Sequence, residues 1–146
     1  MNNYLITKDT LAILPYNDQS IVIEKERKFI VKKNPNNIIK ANCNMYGSSY
    51  AGRLDGTKKL TGYSYKAPII IEDKNRTIFF PTGSPRLKKA SWINLDNVEY
   101  AYQEKNDNKI MFNNGFSMKI NTSINVINNQ ILRATRLSSI LAKNNV

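Results

Sequence analysis

Only one stretch of this chain sustains helical periodicity for more than three turns. Ile124, Ile127, Ile131, Ala134, Leu137 and Leu141 recur at steps of three and four. That spacing puts them on one face of a helix running from about Ser123 to Ala142. Thr122 or Ser123 caps its start, Gln130, Arg133 and Arg136 fall on its other face, and Lys143 suits the dipole at its end. The apolar stripe serves equally as a core face or a dimer seam. Every other apolar run is short and most are β-branched, which is the composition of strands. The expected fold is therefore α+β: mainly antiparallel β-sheet with short central helices and one C-terminal amphipathic helix.

Tyr4–Thr7, Leu11–Pro15, Ser20–Glu24 and Lys28–Val31 are compact apolar segments separated by turn-like breaks at 8–10 and 17–18 and by a charged tip at 24–28. They read as an antiparallel sheet. Asn34-Pro35 changes the pattern, because proline suits the first helical position and asparagine the cap before it. Ile38, Ile39 and Cys43 form the buried side of a short helix from about Pro35 to Met45, which Gly47 ends in a left-handed conformation. Lys66–Glu72 and Thr77–Phe80 read as partner strands around a turn at 73–75. Val98–Gln103, Lys109–Phe112 and Phe116–Ile120 read as a three-strand meander, with Asn114-Gly115 as a hairpin signal. No internal repeat and no linker composition divides the chain, so 1–146 reads as a single domain.

Two stretches stand apart from this scaffold. Met45–Thr57 (MYGSSYAGRLDGT) packs Gly47, Gly52 and Gly56 with two serines, two tyrosines and Arg53. Ser48 or Ser49 starts a second short helix or turn ending near Gly56, and Lys58 and Lys59 follow at once. Phe80–Ile93 (FPTGSPRLKKASWI) joins turn residues to Arg86, Lys88 and Lys89 and to the one tryptophan. Trp92 is expected in the core. The cations beside it, on a Pro/Gly/Ser loop, are expected to meet phosphate.

Charge points the same way. Lys+Arg total 22 against 11 Asp+Glu, a net +11 on 146 residues. Such a surplus attracts polyanions and speeds encounter with them. There is no histidine, and Cys43 is the one cysteine. An internal disulfide, a Cys/His zinc site and a histidine-based nucleophile pair are all excluded. No phosphate-binding glycine motif is present, the carboxylates are scattered, and no cofactor is expected. No helix-turn-helix is visible either, so duplex contacts are expected from loops and sheet-borne cations. No apolar run reaches signal-peptide or membrane-spanning length. A cytoplasmic, nucleoid-associated protein that is not an enzyme is the expectation.

Tyr46–Thr57 (YGSSYAGRLDGT), Lys66–Ile71 (KAPIII) and Phe80–Pro85 (FPTGSP) with Ser91-Trp92-Ile93 closely resemble the competence transcription factor family, ComK. The similarity continues through Phe112–Gly115 and Gln130–Arg133. The resemblance implies a DNA-binding transcriptional activator of DNA-uptake genes. It implies that A/T-rich boxes are read through the minor groove of double-stranded DNA, by dimers or higher oligomers that bend it. Control by a proteolytic adaptor and contact with RNA polymerase are further implied partners. The chain departs from the family pattern at Ala90 and Ser91, where members carry a cysteine, and it ends at Val146, where longer members continue. An obligatory thiol role is therefore not expected here, and regulation or assembly through such a tail is left open.

Minor-groove reading fits the residues as well, because narrow A-tracts concentrate negative potential that favours inserted arginine. Arg53 between Gly52 and Gly56 is the first candidate and Arg86 the second. Lys58, Lys59, Lys88 and Lys89 would neutralise phosphates, with Arg133 and Arg136 as weaker candidates. Two competing classes remain in view. One is a protein-interaction or adaptor module that has lost DNA binding. The other is a single-strand or RNA-binding β module stacking bases on Tyr63, Tyr65, Tyr100 and Tyr102.

Overall fold

The computed structural model describes residues 1–144. A six-stranded antiparallel sheet forms its middle layer. The strands are β1 (Thr10–Tyr16), β2 (Gln19–Glu24), β3 (Lys28–Val31), β4 (Ile69–Glu72), β5 (Thr77–Pro81) and β6 (Trp92–Asn94). Their order is β3-β2-β1-β6-β5-β4. A three-strand meander, β1–β2–β3, and a hairpin, β4–β5, are thus joined through β6, a strand of only three residues. Its Trp92 and Ile93 pair with Ile13 and Ala12 on one side and with Pro81 and Phe80 on the other.

Both faces of this sheet are apolar. Alternate residues of β5 show the pleat at work: Ile78 and Phe80 enter one core, Phe79 the other. The first core is closed by a second sheet, β7 (Val98–Glu104), β8 (Asp107–Phe112) and β9 (Ser117–Ile120), and by helix α3 (Ile124–Asn144). Ile127, Ala134 and Leu137 of α3 are buried there. The stripe left open between core and dimer seam is a core face. The Ser123 side chain accepts from the Val126 amide, which makes it the N-cap.

The second core is closed by α1 (Pro35–Met45) and α2 (Tyr50–Thr61). Helix α1 has the expected bounds, with Asn34 accepting from the Asn37 amide and Gly47 beyond its end at φ +80°. Ile38, Ile39 and Cys43 are fully buried, and burial pushes the Cys43 thiol up to about 11.

Two expectations are corrected. Tyr4–Thr7 is not a strand. It crosses α1 as an irregular segment held by Asn42, whose Oδ1 accepts from the Ile6 amide at 2.9 Å and whose Nδ2 donates to the Tyr4 carbonyl. Helix α2 does not stop at Gly56. It starts from Ser49, whose hydroxyl accepts from the Gly52 amide, and runs on to Gly62, which takes the left-handed conformation at φ +83°. A glycine inside a helix costs only about 1 kcal/mol. The burial of Thr57 and the docking of Leu60 against the first core outweigh it.

Candidate nucleic-acid interface

The extension of α2 decides where its cations go. Residues at steps of three and four share a helix face. Arg53 lies on the face of buried Thr57 and half-buried Leu60, so its side chain is directed inward and is only 11% exposed. Its Nη1 donates to Asp73 Oδ1 at 2.7 Å, in the β4–β5 turn, while Nε and Nη2 are buried without a partner. The picture of Arg53 as a loop-borne finger between two glycines is replaced by a helical residue tied to a neighbouring hairpin. Lys59 is exposed and paired with Asp55 one turn back. Lys58, one turn beyond Leu54, is exposed without an ion pair among the described residues.

Replacing Arg53 by methionine should therefore leave discrimination between A/T-rich and G/C-rich duplexes unchanged. Unfolding in urea should show equal stability or a gain of about 1 kcal/mol, because an imperfectly satisfied buried cation is exchanged for packing. Loss of A/T preference in that variant would return Arg53 to the groove.

The loop Thr82–Ser91 is built differently. Pro85–Leu87 forms a single 3-10 turn, and Lys88 closes it in the left-handed region at φ +55°. Arg86, Leu87, Lys88 and Lys89 are all exposed. The base of the loop is nonetheless fixed. Trp92, fully buried, donates its Nε1–H to Asn36 Oδ1 at 2.9 Å, and the Asn36 amide donates in turn to the Pro85 carbonyl. The Ser91 amide also donates to the Thr82 hydroxyl. A core tryptophan thus anchors an exposed basic tip through one asparagine on α1.

A cleft lies on each side of this tip, and Ser84 lines both. One, of about 610 Å³, brings Lys88 and Lys89 together with Lys119 from the end of β9. The other, of about 330 Å³, brings Arg86 together with Lys40 of α1 and Lys66 of the segment after α2. Neither lining contains a carboxylate. Lys40, Lys66 and Lys119 were not singled out in the sequence, because each stands in an ordinary polar context and only the tertiary fold assembles them.

Arg133 has a structural task. Its Nη2 donates to the Tyr65 carbonyl at 2.7 Å and its Nη1 to Gln130 Oε1 at 2.7 Å, while the guanidinium carbon lies 4.4 Å from the Tyr63 ring centroid. Partial burial pulls its pKa below the ordinary arginine range. Gln130, itself buried, donates to the Lys66 and Pro81 carbonyls at 2.8 and 2.7 Å. The two side chains pin the 63–66 segment to α3. Arg136 is exposed on the outer side of that helix. Of the four tyrosines considered as a stacking platform, Tyr63 lies under Arg133 and Tyr102 shares a hydrogen bond with Ser117 while packing on Tyr100. Tyr65 is 65% exposed and lines the smaller cleft.

A strongly basic surface ridge between two cationic clefts, on an α+β chain, is the electrostatic footprint looked for in polyanion-binding domains. The chain matches the family described as ComK protein over residues 1–145 and belongs to that family. It is 34% identical, over 142 residues, to the competence transcription factor of Bacillus subtilis (strain 168), covering 94% of this chain and 74% of that relative. No solved structure matches it. No helix among the described residues is long and apolar enough to cross a membrane.

Proposed function

We propose that this chain is a non-enzymatic transcriptional activator of competence genes that binds A/T-rich duplex DNA, with the Thr82–Ser91 loop as its contact ridge. The observation that carries this reading is the convergence of cations, all but Lys119 without an ion pair among the described residues, on the two clefts beside that loop whose linings hold no carboxylate, in a member of a family that includes a competence transcription factor. Arg86 at the exposed tip is the residue for the minor groove, where narrow A-tracts favour a guanidinium. Lys88, Lys89 and Lys119 neutralise phosphates on one flank, with Lys58 and Arg136 as outlying contacts. Arg53 and Arg133 stay out of the contact set, since their half-buried guanidinium groups are already engaged by a carboxylate or by carbonyls, and Lys59, paired with Asp55, stays out because it lines neither cleft. Dimers or higher oligomers on DNA, contact with RNA polymerase, removal by a proteolytic adaptor, and a cytoplasmic, nucleoid-associated location complete the proposal.

A mobility-shift titration tests it, with an A/T-box duplex and a G/C-rich duplex of equal length at two salt concentrations. Tighter binding to the A/T probe and a steep loss of affinity with salt are expected. Arg86→Ala should reduce the A/T preference by about 1–3 kcal/mol, by analogy with loss of an arginine base contact. Equal binding of both probes by the unaltered protein would overturn minor-groove selectivity, and no binding at low salt would overturn the DNA reading itself.

A further inference from the structure

The smaller cleft has features that phosphate neutralisation along a duplex does not require. Lys40, Lys66 and Arg86 reach it from three separate parts of the chain, and none of them has an ion pair among the described residues. Bringing three like charges to one concave site without a carboxylate is unfavourable unless an anion occupies it. The wall beside them is aromatic. Tyr65 is largely exposed, and Tyr50 stands edge-on against Trp92 at 6.2 Å. Lys66 Nζ lies 5.4 Å from the Tyr65 ring centroid and Lys40 Nζ 5.8 Å from that of Tyr50, so each cation sits beside a π-face.

The site is held in shape from behind. Lys66 is in the left-handed region at φ +51°, a conformation that a non-glycine residue keeps only when its surroundings impose it. The surroundings here are the bonds from Gln130 to the Lys66 carbonyl and from Arg133 to the Tyr65 carbonyl. On the opposite lip, Asn36 holds the Pro85 carbonyl next to Arg86. A volume of about 330 Å³ lies at the lower end of small-molecule sites. Cations for a phosphate, a ring face for a planar group and a pre-formed backbone together define a receptor for one nucleotide unit.

We propose that this cleft binds a single nucleotide: its phosphate on Lys40, Lys66 and Arg86, and its base on the exposed ring of Tyr65. The unit comes either from a free mononucleotide or from the DNA strand itself. The site goes beyond the duplex-binding reading, and its first test contains no DNA.

The test is an amide-resolved NMR titration of the full chain with AMP, ribose 5-phosphate and inorganic phosphate. AMP is expected to shift the amides of 64–67 and 84–87 saturably. Ribose 5-phosphate should bind at least five-fold more weakly, the difference reporting the stacked base. Lys66→Asn removes the charge while suiting the left-handed backbone, and it should weaken AMP binding at least five-fold. Tyr65→Ala should bring AMP down to the level of ribose 5-phosphate. Lys74→Gln, an equal charge change on the β4–β5 turn, should leave AMP binding as it was. No saturable shift with AMP overturns the proposal. So does equal binding of AMP and ribose 5-phosphate, or an equal effect of Lys74→Gln and Lys66→Asn. Adding A/T-box duplex to the AMP complex then separates the sources. Displacement of AMP assigns the cleft to a nucleotide of the DNA, and simultaneous binding assigns it to a free nucleotide. Because the AMP arm reads the cleft without duplex, its failure is distinguishable from failure of the mobility-shift titration.

Discussion

Changing Lys88, Lys89 and Lys119 together to glutamine should flatten the salt dependence of duplex binding by about 2.7 in the slope of log affinity against log salt. The advantage of the unaltered protein over the triple variant should then shrink about forty-fold between 50 and 200 mM salt, since each phosphate contact contributes about 0.9 to that slope. The three lysines come from the basic loop and from the end of β9, and they share the larger cleft. Lys88 and Lys89 are exposed and make no ion pair among the described residues, while Lys119, itself exposed, sits 3.3 Å from the half-buried Asp107 at the surface. A surface pair of that kind contributes about 0–1 kcal/mol, so the fold should survive. The urea midpoint checks that point independently. Preference for A/T over G/C probes should persist in the triple variant, because Arg86 is retained. An unchanged slope would remove the larger cleft from the DNA-binding surface. A lost A/T preference would mean that the lysines read sequence as well as charge.

Much of the scaffold was legible in the chain because its signals are local. Asn34-Pro35 and Gly47 bracket α1 at the residues where it begins and ends. The stripe from Ile124 to Leu141 marks α3, and Asn114-Gly115 marks the hairpin that closes the three-strand sheet. Strand β6 was not legible, because three residues are too few for a period and its pairing partners lie about thirteen and eighty positions away. The end of α2 was misjudged because a local helix-breaking preference met a tertiary contact worth more.

The site divides in the same way. The basic loop was visible from its own composition. What the sequence could not show was which cations are already engaged. Asp73 lies twenty residues from Arg53, and the distant acceptors of Arg133 are backbone carbonyls at 65 and 66, which carry no residue-type signature. Nor could it show which unremarked lysines join the loop. A strongly basic composition thus points to a class of ligand without naming the residues that would meet it. Only the pairing pattern in the folded chain separates cations committed to the structure from those left free to bind.

Trp92 tests whether core and loop form one mechanical unit. Replacing it by alanine removes the largest fully buried side chain and should cost about 3–5 kcal/mol, the range found for large aromatic truncations. Against a total stability of about 5–15 kcal/mol for a domain, that variant will be much weakened or unfolded. The informative partner is Trp92→Phe. Phenylalanine keeps an aromatic ring against Tyr50 but has no N–H to donate, so Asn36 Oδ1, half-buried in the wall of the smaller cleft, loses its partner. The expected cost of that lost bond is about 0.5–1.5 kcal/mol, the net value of an ordinary hydrogen bond, because the half-buried acceptor faces the cleft. Asn36 also holds the Pro85 carbonyl, so the loss should spread to the loop and not remain in the core. Amide hydrogen exchange at 86–89 should quicken in Trp92→Phe, and duplex affinity should fall although no cation has been removed. A variant destabilised by that amount with unchanged loop exchange and unchanged affinity would show that the ridge keeps its shape without the tryptophan. The charged tip would then be presented by its own 3-10 turn alone, and the asparagine relay would be a feature of the core only.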